Sequence, residues 1–409
     1  MDLNRDRIHY DFEKLADHCQ RHQKISKKVL DNFLMDFIGR KEKMDLKMNL
    51  YEQKYRHIIR KMPESFFPSV MGEYIMGKTL APDGFIHKYL NHVELRSLDK
   101  SEREFLEFQA SHPWRYCFAH IADHPAKDFF RLRDAFLGDE FLLYSPGMEA
   151  YWAEGRKHDL YFLLTGFNGT CFHTYGVIIP MRSFTPDDIY FYGTEIFPEV
   201  DSDVTLMESV YKDPMPYLML ASGMEYPITM SGENVMRQWV AVDEIDSIDT
   251  EKLKKHFSIQ WNKNIYRISQ EAWSGPPHFA SAYFNETSGE LTRYAMTEAG
   301  FRELTRGLVK SGLQIGADED YSVGMSMVVT MEEILRKKIN LNEYEAYFPE
   351  KDDNPASEKE LDHINRFMQM LLPYFNARTR PDLQSLARQA GIGIDTAQSL
   401  YDQLKAKFG

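Results

Sequence analysis

The sequence predicts an α+β fold, with a mostly antiparallel, hairpin-built β core flanked by N-terminal and C-terminal helical regions. Three observations predict it. Apolar residues repeat at threes and fours in the first part of the chain, and the part after Gly316 again reads as helical. Between these parts the period falls to two, in runs joined by turns rich in Gly, Asn and Asp. The runs come as hairpins and do not alternate one for one with long helices, which disfavours a doubly wound sheet. The organisation that follows is a helical region 1–110, an α+β core 111–316 and a helical region 317–409.

In the first region Phe12, Leu15, Ala16 and Cys19 share a helical face, and Val29, Leu30, Phe33, Leu34, Phe37 and Ile38 repeat the pattern. Tyr51, Tyr55, Ile58 and Met62 predict a third helix that stops before Pro63. Pro and Gly at intervals over 63–84 predict a loop with short helical turns. Ser101 and Glu104 have the spacing of a capping box, which would start a helix to about Ala110.

In the core, Trp114, Tyr116, Phe118 and His120 alternate with Arg115, Cys117, Ala119 and Ile121, a two-faced strand expected to end by His124 and Pro125. Hairpins are expected at 129–136 with 141–144 and at 159–165 with 170–181. Thr185, Pro186, Asp187 and Asp188 supply a cap, a first-turn proline and two carboxylates at the positive end of a helix. Further strands are expected at 217–221, 226–230, 235–242, 258–269, 279–285 and 291–296. Helices are expected at 249–257 and from Thr297 to about Lys310. Beyond Gly316 the pattern reads as helical, with Thr330 and Glu333 as a capping box or the helix starting a turn earlier. Residues 351–356 read as a polar linker, Ser357 as the cap of a helix through about Phe375, and two helices close the chain.

Composition narrows the function classes. A hydrophobic content of 43% with 27% charged residues belongs to a folded chain, and 409 residues exceed what one core organises. The 27 Phe and 23 Tyr suit a half-buried pleated surface. A net charge of −13 argues against a protein that coats nucleic acid over its whole surface. The first 62 residues nevertheless hold fifteen Lys/Arg against ten Asp/Glu, a solvated helical face or a docking surface for an acidic partner. Three scattered cysteines, Cys19, Cys117 and Cys171, form no disulfide framework, so a reducing, cytoplasmic setting is expected. The opening residues are charged and carry no apolar signal segment, and no run approaches the ~20 apolar residues of a membrane span. No membrane association is expected.

No phosphate loop, dinucleotide fingerprint, His-Glu-x-x-His or nucleophile elbow occurs, and no cofactor is expected. His120 and His124, with Cys117 nearby, are the only weak metal candidates. Residues four apart on a strand lie ~13 Å apart, so no metal is expected there. Cys171 and His173 share one face of a strand. Glu149, Glu154, Asp187 and Asp188 could pair as general acid and base only if the fold gathers them, and Asp187 and Asp188 also serve as helix-start charges. Trp152 and Trp273 could line a cleft or fill the core.

Near the end, Leu386-Ala-Arg-Gln-Ala-Gly-Ile392 is followed by Thr396 and Ala397. Ala387 is small where two helices would cross, Gly391 permits the turn, Ile392 and Leu400 fill the space between, and Asp395 or Thr396 could cap the second helix. This segment resembles the helix-turn-helix superfamily. The resemblance implies a second helix in the major groove presenting Thr396, Gln398, Ser399 and Gln403, with Arg388 and Lys405 toward phosphates. Residues 376–409 carry five Lys/Arg against three Asp, a modest supply for phosphate contact. A fainter likeness joins Trp114 to Tyr144, with its Arg131-Leu-Arg-Asp134 and Gly138-Asp-Glu140, to small β modules of uncharacterised bacterial proteins bearing a zinc-binding SEC-C tail. No Cys-x-Cys tail follows here, so that likeness transfers no metal and no activity. The expected function is binding: a β core serving as recognition platform for a protein partner or for self-association. The alternatives are a DNA-binding regulator acting through the C-terminal pair and an enzyme whose site is assembled from distant residues.

Overall fold

The computed structural model describes residues 10–225, 230–231, 234–270, 279–348, 363–364, 366–371, 374, 379 and 381–408. The chain divides into two compact units, Met1–Tyr344 and Glu345–Gly409. The fold is α+β, with mostly antiparallel sheets between helical segments.

The first unit opens on one long rod. Asp11 caps α1 (Phe12–Ser26) by accepting from the Lys14 amide. A π-helical stretch, Lys27–Leu34, follows without a break and passes into α2 (Met35–Lys41). Upstream of that stretch Leu15 and Cys19 pack on the sheet residues Phe129, Leu142, Tyr144 and Cys171. Downstream, Phe37 and Ile38 join the main core with α3 (Met44–Ile59).

Residues 63–84 are not a loop. They hold α4 (Phe66–Leu80), a helix buried on several sides through Phe67, Val70, Tyr74, Ile75, Met76 and Leu80. A helix that is apolar around its circumference has no amphipathic period to detect, and Pro68 is tolerated in the first turn. Two single turns, α5 (Ile86–Tyr89) and α6 (Val93–Arg96), lead to α7 (Lys100–Ser111). Its capping box is Asp99 with Glu102, not Ser101 with Glu104, so the helix begins earlier than its sequence pattern suggested.

Five strands then close a barrel: β1 (Arg115–Ala126), β2 (Phe129–Asp134), β3 (Glu140–Tyr144), β4 (Tyr161–Phe167) and β5 (Phe172–Pro180), in the order β1-β2-β3-β5-β4. The β3–β5 pair is parallel and the other pairs are antiparallel. Strand β1 does not end at His124. It continues through irregular register at Ile121/Asp123 and Asp123/Ala126, and the bend lets one long strand pair with both β4 and β2. Cys117, Ala119, Phe130, Leu132, Phe141, Leu143, Tyr161 and Leu163 fill the interior, joined by Met148 of α8 (Pro146–Ala153), the helix between β3 and β4. The connectivity alone carries no function. The outward Phe129, Leu142 and Tyr144 on β2 and β3 lie under α1.

Thr185 caps α9 (Pro186–Ile196), and Ser202 caps α10 (Asp203–Lys212). Residues 217–221 are not a strand: α11 (Met215–Leu218) and a 3-10 turn (Met219–Glu225) occupy them. A short run buried on all sides carries no period that separates strand from helix. Of the strand expected at 226–230, residues 226–229 lie outside the described residues, and β6 (Met230–Ser231) pairs with β7 (Asn234–Val235).

The second sheet is fully antiparallel, β13-β8-β12-β11-β10-β9. It contains β8 (Arg237–Glu244), β9 (Ser258–Asn262), β10 (Ile265–Ser269), β11 (Ala280–Asn285) and β12 (Glu290–Ala295), with α12 (Thr250–Leu253) between β8 and β9. Phe301, Leu304 and Leu308 of α13 (Glu298–Lys310) cover one face. The region after Gly316 is not wholly helical, because β13 (Tyr321–Gly324) adds to the free edge of β8. Thr330 caps nothing. It lies inside α14 (Met325–Leu335), where its hydroxyl donates to the Ser326 carbonyl.

In the second unit, helices Leu383–Ala390 and Ile394–Phe408 meet around Leu386, Ala387, Ala390 and Ala397, with Phe367 and Leu371 beneath. Gly391 turns the chain at φ +79°, where a side chain would be strained. The second helix starts at Ile394, ahead of the caps expected at Asp395 or Thr396. The linker 351–356 and the cap at Ser357 lie outside the described residues. No helix among the described residues is long and apolar enough to cross a membrane.

Candidate functional site

A cleft in the first unit has a volume of about 600 Å³. Four segments build it. Helix α9 contributes Pro186, Asp187, Tyr190, Phe191 and Thr194, which share one face at helical spacing. The first residue of α10 contributes Asp203, and the edge of the second sheet contributes Asp320 and Tyr321. The β2–β3 turn of the barrel contributes Ala135 and Phe136.

Each wall is fixed locally. Asp134 Oδ1 accepts from the amides of Phe136 and Leu137 at 2.9 Å each, which sets the turn that carries Phe136. Asp320 Oδ2 accepts from the Val242 amide at 2.7 Å. The ring of Phe191 lies 6.4 Å from that of Tyr321, 18° from parallel. Beneath the cleft, buried Asp188 accepts from Arg237 through both oxygens, 3.1 Å and 3.2 Å, and from the Gly324 amide at 2.6 Å. The same guanidinium also donates to Thr185 Oγ1, Ser322 Oγ and the Ser322 carbonyl. Burial pushes the Asp187 carboxyl above its ordinary range, opposed by the Ser322 amide and by Arg237. The lining thus sets three carboxylates beside four aromatic rings, without Lys, Arg or His among the described lining residues.

A second constellation lies where α1 meets the β4–β5 turn. Cys19 Sγ is 3.4 Å from Cys171 Sγ. Asn168 Nδ2 reaches both sulfurs, at 3.4 Å and 3.5 Å, and His173 Nε2 at 2.6 Å. Asn168 is itself held, its Oδ1 accepting from Thr170 N, Thr170 Oγ1 and Cys171 N. The His22 and His173 rings are 4.7 Å apart, and His18 Nε2 lies 3.2 Å from the Asn168 carbonyl oxygen. The bond with Cys171 holds the proton on Cys19 and, with Asn168 and Thr170, draws the Cys171 thiol below its ordinary value against burial. Burial, with the neighbouring histidines, lowers His173 to about 3 and His22 to about 4.

The metal candidates of the sequence are dispersed. Cys117 points into the barrel, where burial pushes its thiol up to about 12. His120 Nδ1 lies 2.7 Å from the Asp159 carbonyl oxygen, and His124 Nε2 lies 2.8 Å from Glu149 Oε2. Of the acidic candidates, Asp187 enters the cleft, Asp188 its foundation, and Glu154 pairs with Arg156. Trp152 packs against the barrel core, whereas Trp273 lies outside the described residues. Arg388, Thr396, Gln398 and Ser399 are exposed, Gln398 bonding to Asp402. The side chains of Gln403 and Lys405 lie outside the described residues.

Sequence reasoning missed Phe136, Tyr190, Phe191, Asp203, Asp320 and Tyr321, which no local pattern connects. It also left Cys171 and His173 without a partner. The available signal was Cys19-x-x-His22, a spacing that puts both side chains on one helical face. No protein-family model matches the chain, and no curated protein and no solved structure matches it.

Proposed function

We propose that the protein works by binding, with the recognition surface on its β core, and that its partner is a basic polypeptide segment inserting lysine or arginine side chains into the cleft around Tyr190. The observation that carries this reading is the pairing of three carboxylates with four aromatic rings in one cleft of about 600 Å³. Aromatic faces attract organic cations by about 0.5–1 kcal/mol each at exposed sites. The carboxylates complement the same charge, and a net charge of −13 steers basic partners toward the molecule.

An arginine-rich oligopeptide should bind the full chain with an affinity that falls as salt rises. Asp203→Asn and Tyr190→Ala should each weaken it by about fivefold, a charge and a ring lost at a partly exposed site. Fluorescence anisotropy measures this. Equal binding of a glutamate-rich control, or no change in the Asp203→Asn/Tyr190→Ala double variant, would discard the reading. The competing enzyme reading draws on Asp187, a carboxyl held above its usual range beside two others. A turnover abolished by Asp187→Asn would put it in first place.

DNA contact by the second unit is a separate proposal, supported by the exposed Thr396, Gln398 and Ser399 on one helix. A gel shift at low salt with mixed genomic fragments should then disappear on deleting residues 376–409, and a shift that survives the deletion removes the idea.

A further inference from the structure

Cys19, Cys171 and His173 come from segments some 150 residues apart, yet their ligating atoms all lie within 4.8 Å of one another. Helix α1 supplies Cys19 and His22 from one face, being three apart, while the β4–β5 turn supplies Cys171 and the start of β5 supplies His173. We propose that these four side chains hold one zinc-class divalent cation that clamps α1 to the barrel.

The chemistry fits the donors. Two thiolates and two imidazoles make a tetrahedral Cys₂His₂ set, the type found in closed structural zinc sites. A tetrahedral ion with bonds of about 2.3 Å spaces two sulfurs by roughly 3.8 Å. The observed spacing is 3.4 Å, so a small outward movement admits the ion. His173 exchanges its contact with Asn168 for the ion, and His22, whose ring already neighbours that of His173, turns to the fourth position. Asn168 keeps its two N–H···S contacts and becomes the outer group that orients the sulfurs. Each thiol still protonated releases its proton to solvent on binding, and the neutral imidazoles donate lone pairs.

Both sulfurs are buried, but His22 and His173 are only partly so and border a small cavity of about 50 Å³ with Gln23, Ser26 and Thr174. That side is the route of entry. The third cysteine, Cys117, lies inside the barrel and takes no part.

The test uses the full chain purified without chelator and reloaded with Zn²⁺ or Co²⁺. One equivalent of zinc should bind, and cobalt should give a thiolate charge-transfer band with tetrahedral visible bands. Cys171→Ser and Cys19→Ser should abolish both signals, whereas Cys117→Ser should keep them. Asn168→Ala should weaken zinc affinity by about 10–100-fold. Wild-type alkylation in urea that loosens the fold needs no variant: there zinc should protect the buried Cys19 and Cys171, and a chelator should expose them. The proposal is overturned by no stoichiometric metal, by metal retained in the Cys19→Ser/Cys171→Ser double variant, by alkylation indifferent to zinc, or by a Cys19–Cys171 disulfide that persists under reductant with no metal bound.

Discussion

Asp188→Ala should lower the unfolding free energy by about 3–5 kcal/mol, the cost of removing one partner from a buried ion pair. The side chain of Asp188 is fully buried and that of Arg237 is only 13% exposed, so water replaces little of what is lost. The carboxylate also accepts from the Thr185 amide in the capping box and from the Gly324 amide. It therefore joins the start of α9 to the edge strand β13, two of the cleft walls. Urea unfolding should show a lower midpoint at unchanged slope, and arginine-peptide binding should fall at the same time. Asp188→Ala/Arg237→Met should recover part of the loss, because the stranded charge is then gone. A single-variant loss under ~1 kcal/mol would mean that the pair contributes no more than a surface contact.

The second large effect concerns Glu73 on α4. Its side chain is fully buried; Oε2 accepts from the Val177 amide at 2.8 Å, and Oε1 has no hydrogen-bond partner among the described residues. Burial raises its carboxyl well above the ordinary value, against that one amide bond. The folded state therefore keeps a proton that the unfolded state releases above about 4.5. Stability from this group is complete below that pH and is lost as pH rises toward the folded value, at up to about 1.4 kcal/mol per pH unit. Glu73→Gln has the same shape and no proton to lose. Unfolding measured from pH 5 to pH 8 should show a decline in wild type that is shallower in the variant, and parallel profiles would refute the assignment. The neighbouring Gly176 has φ +80°, and a Cβ there would collide with Glu73, so the strand is shaped around the carboxyl.

Much of the barrel was legible because its signals are local. Period-two runs and turn residues marked β2 with β3 and β4 with β5, and Thr185 with Pro186 marked the start of α9. The misread elements fail for one physical reason each. Helix α4 and residues 217–221 are buried on several sides, which erases the amphipathic period. Strand β13 is four residues long and exists only because β8, some eighty residues earlier, offers an edge. At α7 two overlapping capping patterns compete, and only the backbone decides between Asp99 and Ser101. The cleft was illegible for a different reason. Its residues come from four segments between Ala135 and Tyr321, and no spacing rule spans such distances. His120 and Cys117 were separable in advance, since three residues along a strand reverses the face.

The π-helical stretch Lys27–Leu34 has a geometric consequence. Such widened turns arise from an extra residue, and one residue is worth about 100° of rotation in an α-helix. The stretch works as a phase shifter in a continuous rod, letting the upstream half turn Leu15 and Cys19 to the barrel while the downstream half turns Phe37 and Ile38 to the helical core. Shortening it by a single residue would swing Cys19 and His22 around the axis together, away from Cys171 and His173, with every hydrogen-bonded turn of the helix still formed.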